Sequence, residues 1–336
     1  MKAFFIVCNV VVISSDLQIG NYPNITDSGQ CGIGRQSLLM AADDDDHQCF
    51  RLHSSRRQLL PAIVNGRPVQ TGQFPYIVYI AIWDINRYDN SSLRQKATCT
   101  GSILNEQWIV TAAHCFRQQC YRPGGCLHRI YPGIIRRSEP GLDYGYKQLI
   151  IHENYTTDGN YTVDIVLVKL NRSINFTANI IGGDDNSGHY RRLNSICLPA
   201  PAAPVGNQTT TSQHWEYAVM AGFGVLLDGS ETDSLQSGWT RIPPLEQQSV
   251  DSQLIVIPSE YPFPGGTYPC YGDSGGPLVQ YVRGRAVLIG FIVAIDNIGL
   301  IDGTCQTLND DEPIVMMFVR LMAKLDWIQT NIYGNN

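Results

Sequence analysis

Three short segments carry side chains that could react together. Thr111-Ala-Ala-His-Cys115 sets a histidine beside a cysteine at the end of an apolar run. Asp164-Ile-Val-Leu-Val-Lys-Leu170 sets an acid at the mouth of another, and Gly272-Asp-Ser-Gly-Gly-Pro277 sets a serine in a glycine-rich turn. A serine hydroxyl is a weak nucleophile at neutral pH and needs an adjacent base. Histidine has a pKa suited to that task. A buried carboxylate then fixes the imidazole tautomer and stabilises the imidazolium. Glycines let backbone N–H groups turn toward a developing oxyanion with no Cβ in the way. Taken singly, each segment also reads as structure: a histidine packed beside a cysteine or held for a metal, an aspartate in a turn, a serine in a turn. Their joint occurrence in the order His, Asp, Ser points to covalent catalysis by serine. A zinc site does not compete, because His114 and Cys115 have no second ligand pair of metal spacing nearby.

These residues lie far apart in the chain, so a rigid frame has to bring them together. From Ile63 onward the sequence is a series of short apolar runs rich in Val, Ile and Tyr, among them Tyr76–Ile85, Trp108–Ala113, Ile165–Leu170, Tyr217–Ala221, Leu254–Ile257, Pro277–Tyr281 and Val287–Ile295. Asn-Gly, Pro-Gly, Gly-Gly and Asp-Gly pairs separate them. This is the spacing of an all-β barrel or sandwich, not of alternating strands and helices. Only Arg320–Ile332 has a helical pattern, with Leu321, Leu325 and Ile328 at i, i+4 and i+7.

The 336-residue chain has a formal net charge of −6, with 43% apolar and 16% charged residues. That balance excludes a disordered chain. The acidic excess argues against nucleic-acid or anionic-membrane partners, which need a positive footprint. The longest largely apolar stretch, Phe4–Ile13 with Asn9 inside it, is too short for a span of ~20 residues. With Lys2 before it and Ser14-Ser15 after it, residues 1–15 read as a secretory signal peptide. Seven Asn-x-Ser/Thr sequons, at Asn24, Asn90, Asn154, Asn160, Asn171, Asn175 and Asn207, fit a secreted, glycosylated chain. So do the ten cysteines; without Cys8 of the signal peptide an odd number remains, so at least one thiol is free or pairs with another chain. Residues 16–62, with Asp43–Asp46, Arg51, Arg56 and Arg57, lack strand alternation and read as a pro-segment ahead of a domain over 63–336.

From Ile63 to Ile332 the chain resembles the chymotrypsin/trypsin-like serine proteases. The resemblance rests on Ile63-Val-Asn-Gly66, Thr111-Ala-Ala-His-Cys115, Ile151-His-Glu-Asn-Tyr155 leading to Asp164-Ile-Val-Leu, Ala221-Gly-Phe-Gly224, Gly272-Asp-Ser-Gly-Gly-Pro-Leu278 and Leu325-Asp-Trp-Ile328. It implies two six-stranded antiparallel β-barrels with the active site between them and a C-terminal helix. It implies His114 as general base, Asp164 as its orienter, Ser274 as nucleophile, and the N–H groups of Gly272 and Ser274 as oxyanion hole. It implies a zymogen in which cleavage of Ala62–Ile63 frees an ammonium that pairs with Asp273. It also implies the bridges Cys99–Cys115 and Cys270–Cys305, and a pro-segment tether at Cys197 with Cys49 as the expected partner. Cys120 and Cys126 can close a loop of their own, which leaves Cys31 over. Two further family bridges are absent; Ala218 and Gln280 stand where one of them would be.

The specificity pocket departs from the family pattern. Tyr268 stands at the pocket base, six residues before Ser274, where trypsins have Asp. Ala294-Ile295-Asp296 replaces Ser-Trp-Gly on the wall. A bulkier residue replaces the second pocket glycine: Ile314 by alignment on Pro313, or Met316 by alignment on Trp327. The stretch from Ala294 to Cys305 is longer than usual. The expected activity is a secreted serine endopeptidase that takes small apolar P1 residues; the alternative is a catalytically weak homologue that acts by binding protein. The expected partners are protein or peptide substrates, protease inhibitors and an activating protease. A monomer is expected, with no cofactor, metal, nucleic acid or membrane.

Overall fold

The computed structural model describes residues 6–8, 31–32, 49–51, 63–64, 66–84, 94–117, 126–139, 141–177, 180–181, 190–200, 216–226, 229–244, 253–258, 267–301, 304–309 and 312–333. The strands in chain order are β1 (Ile6–Cys8), β2 (Cys49–Arg51), β3 (Arg67–Pro68), β4 (Ile77–Asp84), β5 (Arg94–Ile103), β6 (Trp108–Thr111), β7 (Cys126–Pro132), β8 (Tyr146–Ile151), β9 (Val166–Leu170), β10 (Ile180–Ile181), β11 (Tyr190–Arg191), β12 (Glu216–Gly222), β13 (Gln236–Ile242), β14 (Leu254–Pro258), β15 (Pro277–Val282), β16 (Arg285–Asp296), β17 (Ile298–Ile301), β18 (Thr304–Thr307) and β19 (Val315–Arg320). Among the described residues two helices join them, α1 (His114–Arg117) and α2 (Leu325–Tyr333).

Two antiparallel sheets dominate. The first has six strands in the order β7-β4-β5-β6-β9-β8. It curls until its ends meet, since Ile130 of β7 bridges Tyr144 just ahead of β8. The second runs β14-β19-β16-β15-β12-β13, with the two-residue β3 added at its edge; β13 and β14 touch and close the curl. Burial explains why the apolar runs become these strands. β6 is buried at all four positions, and β9 at all but Lys169, because both of their faces are covered. β13 instead alternates buried and more open residues, one face inward and one outward. β16 is long enough to bend, with a register shift between Ile292 and Ala294.

The chain end straps the two barrels together. A 3-10 turn over Leu321–Lys324 leads into α2, and Leu321, Leu325 and Ile328 are buried as the pattern predicts. Each apolar side chain of that size contributes about 1.5–3 kcal/mol when fully buried. Trp327 stacks on His152, just after β8, with ring centroids 5.2 Å apart, and its Nε1–H donates to Glu153 Oε2 at 2.9 Å. Lys324 Nζ donates to Gln253 Oε1 at 2.6 Å, which fastens the turn to the residue just ahead of β14.

One cysteine expectation is overturned. Cys197 is bridged to Cys31, not to Cys49, with Cα atoms 4.9 Å apart. The reason is local packing. Gly32 N–H donates to Ser195 O at 2.7 Å and Gly32 O accepts from Ala286 N–H at 3.0 Å, so Cys31-Gly32 is stitched between the Ser195–Cys197 segment and the start of β16. Cys31, Cys197, Val282 and Val287 then form a small buried cluster. Cys49 lies in β2, directly across from Cys8 of β1, within the stretch read as signal peptide. Cys126 is disulfide-bonded, while Cys120 lies outside the described residues, as does the segment containing Arg56, Arg57 and Ala62. Cys99–Cys115 and Cys270–Cys305 form as expected. Sequon residues Asn154, Asn160, Asn171 and Asn175 are exposed, and Asn24, Asn90 and Asn207 lie outside the described residues.

Candidate active site

His114 opens α1, directly after β6 has delivered Ala112 and Ala113 into the core. Asp164 closes a 3-10 turn over Tyr161–Val163 whose start is capped by Asn160, with Asn160 Oδ1 accepting from Thr162 N–H. That turn sets Asp164 at the mouth of β9, and β9 pairs with β6. The two side chains therefore meet: His114 Nδ1 lies 2.6 Å from Asp164 Oδ2, and Asp164 Oδ1 accepts from His114 N–H at 2.9 Å. A carboxylate can only accept here, so Nδ1 carries the proton and Nε2 is left as the basic nitrogen. The pair is shielded, with side-chain exposures of 14% for His114 and 3% for Asp164. A shielded carboxylate–imidazole bond is stronger than the same bond in water.

Ser274 comes from the other barrel to the same place. Its carbonyl accepts from Thr100 N–H of β5 at 2.8 Å and lies 3.9 Å from Cys115 Sγ. The Cys99–Cys115 bridge joins β5 to α1 at that point. The approach requires glycine at 275. Gly275 has φ +78°, and a Cβ there would collide with Thr100 O and the Thr111 side chain. Gly275 N–H and Gly276 N–H are spent on Ile292 O and Asp273 O, whereas Gly272 N–H and Ser274 N–H have no acceptor among the described residues. Those two N–H groups can serve an oxyanion. Cys99, His114 and Cys115 have their ligand atoms within 4.8 Å of one another. The two sulfurs are bonded to each other, so the cluster has no thiolate to offer a metal.

His128 of β7 lies behind α1 and was not signalled by the sequence. It is buried, stacks on Phe116 with ring centroids 4.4 Å apart, and donates from Nε2 to Cys115 O at 3.1 Å. Burial pushes its pKa down, so the ring is held neutral.

Asp273 is fully buried. Its Oδ1 accepts from Gly224 N–H at 2.7 Å and its Oδ2 from Cys270 N–H at 2.8 Å. Burial pushes the carboxyl up to about 7, against the pull of those N–H groups and of the Arg137 charge. Ile63 is also buried. Next to it, Val64 N–H donates to Tyr268 O at 2.9 Å, so the chain after Ala62 runs beside Tyr268.

Tyr268 is half-buried and, like Ile295, packs against both the second barrel's core and the cluster around the Cys270–Cys305 bridge. Burial raises the pKa of its hydroxyl. In the stretch expected to form the pocket wall, Ala294 pairs with Met317, Ile295 with Met316 and Asp296 with Val315. The residue paired with Asp296 is therefore Val315, which lies between the two positions that alignment offered. Met316 is in the interior and Ile314 packs on the disulfide. Asp296 is exposed, and its Oδ1 accepts from Asn297 N–H at 2.8 Å. The long stretch after Ala294 is the β17–β18 hairpin. Asn297 fastens it with Nδ2 donating to Asn309 O and Glu312 O, both at 2.7 Å.

Two barrels with a Ser, His and Asp at their junction define a class, and the comparisons with known proteins give the family. The Trypsin family model matches residues 63–303. The chain is 31% identical over 246 residues to U21-ctenitoxin-Pn1a of Phoneutria nigriventer, covering 68% of this chain and 88% of that protein. It is 26% identical over 356 residues to phenoloxidase-activating factor 1 of Holotrichia diomphalia, covering 96% and 87%. Among solved structures, HL collagenase superposes with a TM-score of 0.52 at 22% identity, covering 80% of this chain and 97% of that one, a likeness of fold. The chain belongs to the trypsin/chymotrypsin-like serine protease family.

Proposed function

We propose that this protein is a secreted serine endopeptidase made as a zymogen. The observation that carries the reading is the short His114–Asp164 bond beside the Ser274 turn. In this mechanism His114 Nε2 takes the Ser274 proton as Oγ attacks the scissile carbonyl. Asp164 stabilises the imidazolium, and the Gly272 and Ser274 N–H groups receive the oxyanion. The proton then passes from His114 to the leaving amine, and water repeats the sequence on the acyl-enzyme. Residues 1–15 are the signal peptide and 16–62 the pro-segment, which the Cys31–Cys197 bridge keeps attached. Cleavage at Ala62–Ile63 gives Asp273 an ammonium partner.

A P1 side chain would enter between Tyr268, Ala294, Asp296 and Val315. A cation there would lose its water without a carboxylate at the pocket base to replace it, and burying an unpaired charge is costly. Small apolar P1 residues fit best. Kinetics of the cleaved protein on matched P1-Ala, P1-Phe and P1-Arg substrates test this. P1-Ala should have the highest kcat/KM. A P1-Arg preference overturns the pocket assignment, and no turnover of any substrate favours the alternative, a weak homologue that works by binding protein.

A further inference from the structure

We propose that Arg137 is a positioning residue for the nucleophile turn: acting through the Phe223–Gly224 peptide, it holds the Asp273 carboxylate in place in the single-chain protein. The proposal rests on the endopeptidase reading for its consequence, but not for its geometry.

Arg137 lies in the loop between β7 and β8, on the first barrel, and reaches across to the second. Its own N–H donates to Asp233 O at 2.8 Å. The next residue, Ser138, donates from N–H and Oγ to Asp233 Oδ1 and Oδ2, at 2.8 and 2.7 Å. The Arg137 side chain is 12% exposed. It passes over the Tyr79 ring, 5.6 Å from the centroid, and its Nη1 pairs with Glu231 Oε2 at 2.5 Å. Its Nη2 donates to Phe223 O.

Phe223 O and Gly224 N belong to one peptide group. That group accepts from a guanidinium at one end and donates to Asp273 Oδ1 at the other. A cation on the carbonyl polarises the peptide and strengthens the bond its N–H makes, because linked hydrogen bonds reinforce one another. The approach is close, since a Cβ at Gly222 or Gly224 would fall on the carboxyl. Asp273 adjoins Ser274 and follows Gly272, so fixing its carboxyl fixes both of the open N–H groups. In the uncleaved chain Ile63 is an ordinary amide and supplies no ammonium. The charge acting on this buried carboxyl is then that of Arg137.

The test is a double-mutant cycle on the single-chain protein, read as urea midpoints between pH 5 and 9, with Arg137→Met, Asp273→Asn and the double variant. Among the described residues the charge that acts on the carboxyl is that of Arg137, whose own partners are Glu231 and Tyr79. His114 and Asp164 lie on the opposite barrel. The loss of midpoint caused by Arg137→Met should grow as pH rises through 7 and Asp273 ionises. In the Asp273→Asn background that loss should be flat with pH, and Arg137→Lys should restore part of it. A second measurement is the rate of labelling by a serine-directed phosphonate. The single-chain protein should label, Arg137→Met should label about tenfold more slowly near neutral pH, the size of one charge-assisted bond, and cleaved forms should differ less. A loss that is flat with pH in both backgrounds, or equal slowing in cleaved and single-chain forms, overturns the proposal. If no form labels but the cycle behaves as stated, the endopeptidase reading fails and the Arg137–Asp273 coupling stands.

Discussion

Replacing Asp273 by Asn should change how the single-chain protein's stability depends on pH. The carboxyl is raised from 3.8 to about 7, chiefly by burial. An acid raised in the folded state binds its proton more tightly there than in the unfolded chain. Its contribution is therefore full below pH 3.8 and is lost as pH rises toward 7. At ~1.4 kcal/mol for each pH unit between those values, the loss amounts to about 4 kcal/mol over that window. His128 and His152 are lowered by burial and act in the opposite sense, destabilising the fold as pH falls through the imidazole range. They are common to both proteins and cancel in the difference. Urea unfolding of the wild-type and Asp273→Asn single chains at pH 4, 5, 6, 7 and 8 should thus show the variant gaining on the wild type with each step up to about pH 7. The absolute offset also contains the bonds to Cys270 and Gly224, so the slope is the quantity to read. Parallel profiles would refute the reasoning, because they would mean that Asp273 is ionised throughout. After cleavage at Ala62–Ile63, the slope should disappear.

Other variants probe the remaining parts. Asp164→Asn should keep the fold but lower kcat by about 10⁴, since an amide holds the imidazole in the wrong tautomer; a loss under tenfold would show that Asp164 does not orient His114. Gly275→Ala should destabilise by about 1–3 kcal/mol, from the positive φ and the contact with Thr100, and should reduce activity further still; calorimetry with single-turnover kinetics separates the two effects. After cleavage the pro-segment should stay attached through Cys31–Cys197 until reduction, as non-reducing peptide mapping would show, and Cys31→Ser should cost ~2–4 kcal/mol.

The parts of the site that lie in short contiguous segments were legible in the sequence. His114, Asp164 and Ser274 each sit in a local motif, and the strands around them are apolar runs with turns between. What was missed depends on contacts between distant segments. Cysteine spacing does not fix connectivity, so distance along the chain pointed to Cys49 as the partner of Cys197 and left Cys31 over, the reverse of what the fold does. The Cys31-Gly32 pair was the available signal, because a glycine with no Cβ fits between Ser195 and Ala286. Val315, proposed above for the pocket, was not named in the sequence reading, because alignments anchored on Pro313 and Trp327 fall one residue to either side of it. Only the register across β16 and β19, set by the irregularity after Ile292, decides between them. Arg137 and His128 carry no motif; each acts through one carbonyl from another element.

The most direct measurement is mass spectrometric mapping of a serine-directed phosphonate adduct on the secreted, cleaved protein, with Ser274→Ala and His114→Ala beside it. The expected result is a single adduct on Ser274 of the wild type, and none on either variant. An adduct elsewhere, or no adduct on a protein shown to begin at Ile63, would contradict the assignment of Ser274, His114 and Asp164 as the reacting group, its base and its orienter.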